Sequence, residues 1–162
     1  MLAVVADKSI EEVLKCLLKR YQAFGTAPLL QDFRVFRIPK MTDGAILKRS
    51  HLYLIDARRN ETAAMVICDR HGSGAGGSRE ELEARIEANI RQSGAFSECC
   101  AIVIDPELEN WIWTKSPRLD QAIGWNRQPK LRHWLVQEGL LEVDAVKPAN
   151  PKLALERALQ HA

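Results

Sequence analysis

Four short apolar runs punctuate the first two thirds of the chain, and helical patterns with one apolar face separate them. The first run, Leu2 to Ala6, is continuously apolar, as a strand buried on both faces requires. Ser9 follows with Glu12 three residues later, a capping-box pattern that predicts a helix start. Behind it Ile10, Val13, Leu14, Leu17 and Leu18 recur at helical spacing, and Gly25 to Pro28 reads as a turn. Phe33, Val35, Phe36 and Ile38 predict a second strand, closed by Pro39. Asp43-Gly44 opens a second helical stretch with Ile46, Leu47, Leu52, Leu54 and Ile55 as its apolar positions. Ala63 to Cys68 is the cleanest buried strand. After the glycine-rich loop HGSGAGG, Ser78 and Glu81 form a second capping box. Leu82, Ile86 and Ile90 are the stripe of the helix that follows, Gly94 stops it, and Cys100 to Ile104 is the fourth strand.

Buried strands alternating with amphipathic helices predict an α/β fold: a four-stranded, mainly parallel sheet flanked by helices on both faces. Right-handed crossovers follow, and the first and third strands are expected to be central. Beyond Trp113 the pattern changes to short, proline-punctuated helices. One spans Leu131 to Leu135, and another starts at Asn150 and Pro151, an N-cap with proline at the first helical position, and runs through Leu159. The expected organisation is an α/β core over residues 1–114 and a C-terminal helical extension over 115–162 packed on it. Trp111 stands four residues after Glu107 and is expected to anchor the core, with Trp113 leaning toward the C-terminal helices.

Composition narrows the picture. At 162 residues and 46% apolar, the chain suits a single core. A formal net charge of +2 is too balanced to imply nucleic acid or membrane partners by itself. Cys16, Cys68, Cys99 and Cys100 include no CxxC pair, which argues against a zinc site, and apolar surroundings for three of them suit reduced thiols and a cytoplasmic setting. The apolar run Leu2 to Ala6 ends at Asp7 after five residues, short of a secretory signal, and no apolar run approaches the about 20 residues that span a bilayer.

The candidate chemistry lies where strands end, because open parallel sheets bind ligands beyond their carboxyl edge. Asp7 ends the first strand, with Glu11 one helical turn on. Asp69 ends the third, followed by Arg70 and His71. Asp105 ends the fourth, with Glu107 and Glu109 just after. Converging carboxylates repel unless a cation separates them, and Mg²⁺ (or Mn²⁺) suits hard oxygen ligands. The expected metal ligands are Asp7, Glu11, Asp69 and Glu107, with His71 and Glu109 as catalytic groups. The structural alternative is that such acids only cap the next helix, and that His71 is an exposed loop residue. Gly72, Gly74 and Gly77 match a phosphate-binding G-x-G-x-x-G. Glu80 and Glu81 would repel an anion there, so the loop reads better as a flap. The four tryptophans form either a base-stacking platform or, the better reading, core anchors.

The arrangement resembles a Toprim domain, whose hallmark is an acid after the first strand and Asp-x-Asp after the third, together holding Mg²⁺. Asp7 and Glu11 match the first region and Asp69-Arg70-His71 the second, with His71 in place of the second aspartate. The runs CDRHGSG, AIVIDPELENWIW, LRHWL and KPANPKLALE are similar to small Toprim-like proteins encoded with bacterial phage-defence systems. The resemblance implies a Toprim-like Rossmannoid fold and one of two functions. The first is a Mg²⁺-dependent phosphodiester-processing component, a Toprim-like nuclease of antiviral defence acting on nucleic acid. The second is a catalytically inactive subunit that binds other defence-system proteins through its C-terminal helices. Neither needs a membrane.

Overall fold

The structure, a computed structural model, describes residues 1–26, 28, 33–38 and 42–162. Pro39, expected to close the second strand, lies outside them. The chain divides into two compact units, Met1–Pro106 and Glu107–Ala162. The division falls ahead of residue 114, so the acidic turn and Trp111 and Trp113 belong to the second unit.

The first unit runs β1 (Leu2–Val5), α1 (Lys8–Lys19), a 3-10 turn (Tyr21–Phe24), β2 (Arg34–Arg37), α2 (Asp43–Ala57), β3 (Ala63–Asp69), α3 (Arg79–Gln92) and β4 (Glu98–Ile104). The strands form one sheet in the order β2-β1-β3-β4, with every pair parallel. Leu2 lies opposite Arg34 on one side and Ala64 on the other, and Ala63 lies opposite Glu98. All four residues of β1 are fully buried, which matches their unbroken apolar run and the strand's central place. α2 packs on β1 and β3 beside α3, which covers β4, and α1 lies over β1 and β2. The chain first steps from β1 to β2, then returns past β1 to β3. Connections that run in opposite directions with the usual right hand place α1 on one face and α2 with α3 on the other, in keeping with the packing of α2 on α3.

Local signals act mostly where the sequence puts them. Ser78 and Glu81 form their reciprocal capping box at the start of α3. At α1 the cap is Asp7, not Ser9. Asp7 has extended backbone and its Oδ1 accepts the N–H of Ile10 at 2.8 Å, so Ser9 is already inside the helix.

The second unit holds a 3-10 turn (Leu108–Trp111) and three helices, α4 (Leu119–Ile123), α5 (Leu131–Gln137) and α6 (Pro151–His161). Its core gathers Trp113, Trp125, Leu131, Leu135, Ala154 and Ala158. Trp113 is fully buried and its Nε1 donates to the carbonyl of Pro151 at 3.0 Å. Trp111 is 47% exposed, which reverses the roles expected for the two residues. The expectation carried α-helical spacing forward from Glu107. A 3-10 turn has about three residues per turn, so that spacing points the wrong way, and Leu108 turns inward instead. Trp125 and Trp134 lie 4.9 Å apart between ring centroids, so three of the four tryptophans pack within this unit while Trp111 stays exposed.

Candidate functional site at the carboxyl edge of the sheet

The strand order reverses between β1 and β3, and the carboxyl ends of these two strands mark the place where an open α/β sheet offers a crevice. The loop after β1 contributes Asp7. Its Oδ1 is engaged by Ile10, so the first acid of the expected set satisfies a helix end. Glu11, one turn on, has a cation at each oxygen: Lys15 Nζ is 2.6 Å from Oε1 and Arg37 Nε, at the end of β2, is 3.1 Å from Oε2. Lys15 above all, then Arg37, holds this carboxyl below its usual range, against some desolvation.

β3 delivers Asp69, nearly buried at 9% exposure. Its backbone N–H donates to Oδ1 of Asp43 at 2.9 Å. Asp43 lies in the first turn of α2, behind the Thr42 cap. The sequence marks Asp43 only as a helix-opening acid, and its role beside β3 has no local signal. Cys68, just before, is fully buried, and burial first, then the charges of Asp43, Asp69 and Glu83, push its thiol far above the ordinary value. It is no nucleophile at neutral pH.

The glycine-rich loop is pinned at several points. The N–H of Arg70 donates to Ile104 and that of His71 to Pro106. The Arg70 guanidinium joins Asp105 at 2.9 Å to the carbonyl of Gly77, also at 2.9 Å. Ser73 is buried, and a Cβ on Gly44 would run into its carbonyl oxygen, so glycine is what lets α2 approach the loop. Gly72, Gly74 and Gly77 all have positive φ, which accounts for the glycines without a phosphate. These bonds hold the start of the loop against the end of β4 and, through Arg70, join its start to its end. The His71 side chain is exposed.

Glu107 and Glu109 belong to the second unit. Glu107 is buried, and its Oε1 accepts the N–H of Lys152 at 3.0 Å. Together with Asn150, which receives the N–H of Leu153, it satisfies the first turn of α6. Glu109 is half-buried in the 3-10 turn. Among the described residues no three His, Cys, Asp or Glu side chains gather as a metal-holding group.

No helix among the described residues is long and apolar enough to cross a membrane. No family model, curated protein or solved structure matches the chain, so its class rests on its own architecture, a four-stranded all-parallel α/β sheet flanked by helices.

Proposed function

We propose that the chain is a catalytically inactive Toprim-like subunit that acts by binding other proteins of a bacterial antiviral defence complex. The observation that carries this reading is Glu11. Each of its oxygens already has a cationic partner, Lys15 or Arg37, so two positive charges occupy the place where a divalent ion would have to arrive. Asp7 and Glu107 support it, since each spends an oxygen on a helix start. The second unit offers surface for a partner: Trp111, Ile112, Leu153 and Leu159 are exposed. Metal titration tests the proposal. Millimolar Mg²⁺ or Mn²⁺ should leave the melting temperature unchanged, because only a ligand of the native state raises it. A rise that Asp69→Ala abolishes, together with cleavage of nucleic acid, would overturn it.

A second reading keeps one observation. Asp43 sets a second carboxylate beside Asp69 at the switch point, and Mg²⁺ often takes only one or two carboxylates from the protein. On that reading the chain is a Mg²⁺-dependent nuclease with His71 as base, and the same titration decides between the two.

A further inference from the structure

A cavity of about 320 Å³ opens in the second unit. That volume is at the lower end of what small-molecule sites occupy. Its walls come from three stretches: Lys115 to Asp120, which runs into α4, Lys130 to Val136, which covers most of α5, and Leu141 with Val143 after it. Lys115, Lys130 and Arg132 bring three positive charges to it, and Asp120 is its one acid. Among the described residues neither Lys115 nor Lys130 has an ion-pair partner. Arg132 is fixed in place, because its guanidinium donates to the carbonyls of Ala145 and Val146. One oxygen of Asp120 accepts the N–H of Leu131. The balance of fixed charge is positive. Ser116 adds a hydroxyl, and since its oxygen accepts the N–H of Arg118, its proton remains to be donated. His133 lies on the same wall, and Val136 and Leu141 give the cavity an apolar side.

From this geometry we infer that the cavity binds a phosphate monoester carried on a flat or apolar body, a ligand of nucleotide size. A carboxylate offers one charge and two oxygens. A phosphate monoester offers close to two charges and three acceptor oxygens, which matches two unpaired ammonium groups and a hydroxyl. Lysine suits phosphate as a point charge. The apolar side takes the body to which the phosphate is attached. The inference stands apart from the function proposed above, since it uses none of the same residues.

The test is calorimetric titration of the full chain with adenosine monophosphate, with adenosine, and with a capped acidic dipeptide as the carboxylate probe. Adenosine monophosphate should bind with a Kd below roughly 1 mM, and adenosine at least about tenfold more weakly. The double variant Lys115→Ala, Lys130→Ala should lose about tenfold or more in affinity with its circular dichroism unchanged, because both side chains are exposed. A terminally phosphorylated oligonucleotide that outcompetes adenosine monophosphate would assign the phosphate to nucleic acid; the reverse order would assign it to a free nucleotide. Equal binding of adenosine and its monophosphate, a double variant that binds like the parent, or a dipeptide that binds as tightly as the nucleotide would each overturn the inference.

Discussion

The carboxylate of Glu83 in α3 accepts the backbone N–H of Val103 in β4 at 2.9 Å. One turn along the helix Glu87 does the same for Ala101 at 3.1 Å. β4 is the last strand of the sheet, so these N–H groups point away from β3. An open parallel edge is a template for another strand, and α3 closes this one with two acids spaced four residues apart. The variant Glu83→Ala, Glu87→Ala should lose roughly 1 kcal/mol per bond. It should also self-associate with rising concentration, which light scattering after size exclusion would show. A double variant that is as stable and as monodisperse as the parent would deny the acids this role.

The tryptophan pair is testable by denaturation. Trp113→Ala removes a fully buried indole and should cost about 3–5 kcal/mol. Trp111→Ala touches an exposed ring and should stay within about 0.5 kcal/mol of the parent. Trp113→Phe should fall between the two, keeping most of the packing and losing the bond to Pro151. Equal losses at the two positions would contradict the burial described for this turn.

Acid sensitivity should centre on Glu61. Arg34 Nε lies 2.6 Å from its Oε1, and the N–H of Arg59 donates to Oε2 at 2.7 Å. Arg34 foremost, with the Arg59 N–H, lowers this carboxyl from 4.5 to about 2 against partial burial. The folded value lies below the unfolded one, so the stabilisation is complete above the unfolded value and is lost as pH falls from about 4.5 toward about 2. Denaturant midpoints measured across that window should drop more steeply for the parent than for Glu61→Gln. Parallel curves would mean that the pair contributes nothing that depends on ionisation.

Thiol labelling should sort the cysteines. Cys16 is exposed on α1 and should react first with iodoacetamide near neutral pH. Cys68 is buried, its thiol is pushed up by burial and by nearby acids, and it should react only when the first unit unfolds. Peptide mapping by mass spectrometry reads both, and early modification of Cys68 would show that β3 opens far more readily than its burial implies.

The sheet was legible in the sequence because buried parallel strands carry their signal locally. Leu2 to Ala6 and Ala63 to Cys68 are apolar without a break, and turn residues bound them. Capping boxes are equally local, and Ser78 kept its promise while Ser9 lost to Asp7, two residues earlier, which offered a carboxylate with extended backbone. The site was less legible. Acids after strands look alike whether they hold a metal, cap a helix or pair with a cation, and what separates these roles is a partner distant in sequence. Glu11 meets Arg37 across 26 residues, Asp43 meets Asp69 across 26, and Glu107 meets Lys152 across 45. The pairing of Glu83 and Glu87 with β4 has no local signal for the same reason, since acids on a polar helix face look alike whether solvated or paired.

The central place of β1 has a consequence for how the chain is made. Leu2–Val5 precedes both of its neighbours, β2 and β3, in the order of synthesis. Its amides on one side find partners only when Arg34–Arg37 has emerged, and those on the other only after Ala63–Asp69. Until then a nascent chain of this protein carries an apolar strand without its native partners, and closing two loops of that length is slow beside local helix formation. A strand that is fully buried in the finished sheet is therefore exposed until β3 is complete, and that interval is when it is most open to capture by the wrong neighbour.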